Sequence, residues 1–159
     1  MSICHGIRRW VFAALLVGAA LPAHAVAQLC TSPLFSTVSV SPPMISFSTP
    51  TFVDFDNGAI IYQTTATVNV NLGSGNRPWD MCVQTLSPDL GTSSGVTKPV
   101  TELEWQTGGG AWMPASFTPQ LIGSGRGDGL VQFNLRMRLS WDADPPGTYG
   151  TILQFTVAR

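Results

Sequence analysis

Only two histidines occur in this chain, His5 and His24, and both stand within its first 25 residues. Everything beyond Ala25 therefore lacks the one side chain that titrates unaided near neutral pH. That removes the usual general base, the Ser-His and Cys-His nucleophile pairs and the imidazole metal ligand. Long apolar runs are scarce as well. The longest, residues 10–21, is too short to cross a hydrocarbon core of ~30 Å, and no later stretch comes closer. Basic residues are few and scattered. Without Arg8 and Arg9, six remain against nine acidic ones, a net charge of −3, and nucleic acid binding needs a clustered positive face instead. Helical periodicity and internal repeats are also missing.

What the first 27 residues do contain is a leader. Arg8 and Arg9 precede the apolar run, and Pro22-Ala23-His24-Ala25-Val26-Ala27 supplies small residues at a cleavage site. This is a signal peptide over residues 1–25, cut after Ala25 or Ala27. Gln28 and Leu29 separate the cut from Cys30, so lipid attachment is not expected. Residues 28–159 are then one domain's worth of chain, located outside the cytoplasm with no membrane-spanning segment. Cys4 leaves with the leader. Cys30 and Cys82 remain, and in an oxidising compartment a single disulfide is their simplest state.

Alternation of apolar and polar residues dominates the rest, with Gly, Pro, Ser and Thr between the alternating stretches. Val131, Phe133, Leu135, Met137, Leu139 and Trp141 share one parity; Tyr149, Thr151, Leu153, Phe155 and Val157 share another. Around the prolines of Asp142-Ala143-Asp144-Pro145-Pro146-Gly147 this predicts a long terminal hairpin over residues 130–157. Residues 62–72 alternate equally well and predict a central strand. Val38 and Val40 begin a strand that Pro42-Pro43 breaks and Ile45 and Phe47 resume. Trp79, Met81 and Val83 form the next, with Cys82 on the opposite face. Residues 54–58, 88–99 and 123–129 are expected as turns or loops, and Gly108-Gly109-Gly110 as a hairpin turn between Trp105 and Trp112. The expectation is all-β: an immunoglobulin-like β-sandwich of seven to eight strands and no helix.

Few residues invite chemistry. Glu102 and Glu104 lie about 7 Å apart on one strand face, yet alternation with Leu103 and Trp105 accounts for them as a solvated outer row. Asp54 and Asp56, and Asp142 and Asp144, offer carboxylates to Ca²⁺, but neither pair continues into a full calcium loop, and turn-forming Asx residues explain both. Arg126-Gly127-Asp128 spells a tripeptide that some receptors read, in a glycine-rich turn. Trp79, Trp105 and Trp141 fall on the core parity, which leaves Trp112 as the candidate ligand contact. No catalytic residue, cofactor or metal is expected.

Two stretches resemble a known group. Ser39-Val40-Ser41-Pro42-Pro43-Met44-Ile45-Ser46-Phe47 and Pro145-Pro146-Gly147-Thr148-Tyr149-Gly150-Thr151-Ile152-Leu153-Gln154-Phe155-Thr156-Val157 are similar to an early and the last strand of secreted pilus-subunit-like domains, in particular the spore coat protein U family. That resemblance implies a surface or appendage subunit assembled by β-strand donation, with other protein subunits or cell-surface components as partners. The expectation is thus a structural or adhesive surface protein and not an enzyme, joined through the edge at Val38 and Val40 or the one at residues 117–122. The alternative is a monomeric extracellular glycan- or cell-wall-binding module using Trp112.

Overall fold

The computed structural model describes Cys30 and residues 37–61, 66–73 and 76–158. The expected signal peptide and cleavage site, and residues 62–65 of the expected central strand, lie outside the described residues. Two facing sheets form the sandwich, and every strand pairing among the described residues is antiparallel. The larger sheet is built on β10 (Gly129–Arg138). One flank of β10 carries β3 (Ala66–Asn71) and, further along, β2 (Ala59–Ile61); the other carries β7 (Leu103–Thr107). β1 (Thr37–Ser41) closes this sheet beyond β3, and β8 (Met113–Pro114) beyond β7. In the smaller sheet β4 (Pro78–Thr85) lies between β9 (Gln120–Arg126) and β11 (Leu153–Ala158). A separate hairpin, β5 (Asp89–Ser93) with β6 (Val96–Pro99), leads through a 3₁₀ turn into β7.

Alternation explains the layers. Ala66, Val68 and Val70 of β3 and Val131, Phe133, Leu135 and Met137 of β10 point inward against Trp79, Met81 and Val83 of β4. Each large side chain so buried contributes about 1.5–3 kcal/mol. Phe133 and Phe155 meet across the gap with ring centroids 5.5 Å apart. The result is an all-β sandwich, as the alternation predicts.

Several local expectations are overturned. Residues 130–157 do not form a hairpin: β10 belongs to one sheet and β11 to the other, so the two face each other across the core. Residues 139–152 carry the chain from sheet to sheet. The expected loop at 88–99 is a hairpin turned at Ser94-Gly95, both with positive φ, the geometry of a two-residue hairpin turn. The expected turn at 123–129 is mostly β9. Its glycines clear space for Trp79: a Cβ on Gly125 would stand 2.4 Å from the indole, and one on Gly129 2.6 Å. Ile45 and Phe47 join no strand, although both pack against the core.

One helix, α1 (Phe52–Asn57), stands where a turn was expected. Thr51 accepts from the Asp54 N–H while the Asp54 carboxylate accepts from the Thr51 N–H at 2.7 Å, a capping box, and Gly58 ends the helix in the left-handed region. The Thr-x-x-Asp spacing was visible in the sequence. With no buried residue, α1 adds nothing to either layer.

Candidate functional site

Sheet edges are the features of this fold that remain chemically incomplete. Among the described residues β1, β9 and β11 each have one partner strand. β9 is interrupted: its register with β4 shifts between Met81 and Cys82, bulging the strand at Ile122, and Arg126 ends it with a charge. Bulges and charges are how natural edges avoid pairing with strangers. β1 is uncharged but runs into Pro42-Pro43.

β11 has neither protection. Residues 152–158 contain no charge and no proline. Its register with β4 is unbroken over six residues, from Leu153 opposite Thr85 to Ala158 opposite Asp80. The direction of its free backbone groups follows from one bond. The Leu86 N–H donates to the Ile152 carbonyl at 3.1 Å, which makes Ile152 and Leu86 a bonded pair. Bonded and non-bonded pairs alternate, so Gln154, Thr156 and Ala158 bond to β4. The N–H and C=O groups of Leu153, Phe155 and Val157 then face the side on which no described strand lies. Leu153 and Phe155 also pack on the core while remaining only half-buried, and Ile152 is exposed. Just before the strand, the Thr151 hydroxyl is buried with no hydrogen-bond partner among the described residues. Apolar alternation predicted β11 as a strand, but pairing it with β10 in a hairpin concealed its edge.

Cys30 and Cys82 are joined by a disulfide, their Cα atoms 6.1 Å apart. Cys82 alternates away from the core cluster and is buried nonetheless, so the bridge fastens the start of the domain to the outer face of β4.

The other candidates have structural occupations. Glu104 is buried, not solvated: it lies opposite Arg136 on β10, accepts from that guanidinium, and has Arg138 at 3.7 Å. Glu102 stands 3.9 Å from Arg138. Trp112 lies over the Arg136 guanidinium, 4.5 Å from it, so one ring face covers this ion-pair row. The two aspartate turns lie at one end of the sandwich, and three of their four carboxylates already hold partners. Asp54 caps α1. Asp56 accepts from the Trp141 indole N–H at 3.1 Å. Asp144 is ion-paired with Lys98, the chain's single lysine, and accepts from the Ser140 N–H at 2.8 Å. Both partners of that pair are nearly closed to solvent, at 3% and 7% exposure. Among the described residues no three metal-ligating side chains converge. Hydrogen bonds from the Thr51 backbone and then its hydroxyl hold the Asp54 carboxyl below the usual aspartate value.

The Arg-Gly-Asp turn is pinned from three directions. Asp128 accepts from the Leu72 N–H at 2.9 Å, the Gly127 carbonyl accepts from the Trp79 indole at 2.7 Å, and the Gly127 N–H donates to Arg77. Its carboxylate is not presented freely. Trp79 and Trp105 are core, but Trp141 is not: β10 ends at Arg138, and Trp141 stands in the following turn, 59% exposed. A cavity of about 10 Å³ among Trp105, Ile122, Phe133 and Phe155 is too small for any ligand.

No protein-family model matches the chain, and no curated protein matches it. Among solved structures, the chain is similar to one from a structure of a chaperone-usher pilus concerned with rod uncoiling. The match covers 99% of this chain and 98% of that chain, with 12% identity and a TM-score of 0.47. At that level the likeness is one of loose strand layout, and it says nothing of what this chain does.

Proposed function

We propose that this protein is an exported surface subunit that joins other protein subunits by strand addition at the open edge of β11. The supporting observation is that edge itself: uncharged, free of proline, unbroken in register, and flanked by half-buried Leu153 and Phe155. A strand laid against it would bond to the backbone of Leu153, Phe155 and Val157 and cover the exposed parts of Leu153 and Phe155. Main-chain bonds give such a joint its affinity, and side chains at alternate positions give it specificity. The leader in residues 1–25 and the Cys30–Cys82 bridge fit an extracytoplasmic address. No helix among the described residues is long and apolar enough to cross a membrane.

Residue-resolved amide exchange tests this directly. In the dilute monomer the Leu153, Phe155 and Val157 amides should exchange fast, while Gln154, Thr156 and Ala158 stay protected. In high-mass species isolated by size exclusion, all six should be protected. Equal protection of all six in the monomer would mean that the edge is already covered, and the proposal would fail. So would a protein that stays monomeric at every concentration, alone and with the products of neighbouring genes.

A further inference from the structure

Helix α1 presents a question that packing does not answer. Helices this short are unstable by themselves and usually survive by burying an apolar stripe, yet no residue of α1 is buried and Phe55 is only half-buried. Its aromatic residues are instead collected at the surface. Phe55 stacks on Trp141 with centroids 4.5 Å apart and planes 26° from parallel. One indole face is thereby covered, and the exposure of Trp141 belongs to the other. The bond from the indole N–H to Asp56 fixes the ring's orientation. Phe52, 69% exposed, is three residues before Phe55 and hence its neighbour on the helix surface. Two connections anchor the arrangement to the sandwich: the Leu139 N–H donates to the Gly58 carbonyl, and Asp144 is bound by Lys98.

We propose that Trp141, backed by Phe55 and extended by Phe52, is a stacking platform for a neutral polysaccharide. A pyranose ring offers an apolar face of C–H groups that lies flat on an indole, and its equatorial hydroxyls need acceptors at the ring's rim. Asp56, Asn57 and Asp142 are exposed polar groups beside the stack in sequence. The charge selects the class of sugar. Residues 51–58 and 139–150 carry four aspartates and no arginine or lysine, and Asp144 alone is neutralised by a lysine. Anionic glycans would be repelled, and a purely apolar partner would have to desolvate carboxylates. This site lies apart from the β11 edge in the chain, and the two functions can fail independently.

The test titrates the folded, disulfide-bonded protein with cellohexaose, chitohexaose and laminarihexaose, and with polygalacturonate as an anionic control. Calorimetry and tryptophan emission are read together. At least one neutral hexasaccharide should bind at up to millimolar concentration, and polygalacturonate should not. Trp141→Ala should weaken binding by about tenfold and Phe52→Ala by about threefold. Trp141→Phe should keep part of the calorimetric signal and lose the emission change. Trp112→Phe should bind as wild type does. Far-UV circular dichroism confirms that each variant is folded. No heat with any neutral sugar overturns the proposal, as does binding that Trp141→Ala leaves unchanged. Tighter binding to polygalacturonate also overturns it.

Discussion

Proline substitution at two adjacent positions of β11 separates the outward backbone groups from the inward ones. At Gln154 the N–H belongs to a bonded pair with Gln84, so Gln154→Pro deletes a ladder bond and strands the Gln84 carbonyl. A lost bond costs about 0.5–1.5 kcal/mol, and the carbonyl of half-buried Gln84 left without its partner about 1–3 more. The sum is roughly 2–4 kcal/mol, or about 10 °C in Tm for a domain of this size. Leu153→Pro introduces the same ring one residue earlier, where the N–H faces away from β4. It loses only part of a half-buried leucine, roughly 1 kcal/mol. In assembly the ranking should reverse. Leu153→Pro removes an edge donor and sets a ring against the incoming strand, which should lower the association constant at least tenfold, about 1.4 kcal/mol. Urea denaturation of the monomers and sedimentation of the assemblies measure the two effects. Equal loss of monomer stability in both variants would refute the bond phase. Undiminished assembly of Leu153→Pro would refute the use of this edge.

Three further outcomes follow from the packing. Gly125→Ala should destabilise the monomer by about 1–3 kcal/mol and shift Trp79 emission, because the new methyl would meet the indole; an unchanged melting curve would show that β9 can shift at no cost. Lys98→Met should cost about 3–5 kcal/mol by leaving Asp144 buried and unpaired, and the double variant Lys98→Met/Asp144→Leu should recover most of it. Equal stability of the single and double variants in urea would contradict that account. Asp54 titrates below its ordinary 3.8, so its contribution to α1 is complete above that pH and is lost as pH falls through the lowered value. Trp141 emission should therefore change in strongly acidic solution, whereas Asp54→Asn should show the altered emission already at neutral pH. Wild-type emission that stays flat throughout would break the link between the cap and the aromatic stack.

Much of this molecule was legible in the chain itself. Ala66, Val68 and Val70, and Val131 to Met137 on one parity, show their dry faces without any coordinates, because a strand turns alternate side chains to opposite sides. The absence of histidine beyond Ala25 and the Thr51-x-x-Asp54 spacing are equally local facts. Periodicity identifies the buried face of a strand and is silent about which strand lies alongside. For that reason β10 and β11, close in sequence and alike in pattern, looked like a hairpin and turned out to face each other from separate sheets. Trp141 continues the parity of β10 past the residue where pairing stops, so only the end of the ladder decided that it stands in water. Gly125 and Gly129 looked like punctuation because nothing nearby in sequence announces that Trp79 needs their space. The side of β11 that no described strand covers belongs to the same class. An edge is defined by the neighbour a strand does not have, and that is settled by the whole sandwich closing around its core, never by the strand's own residues.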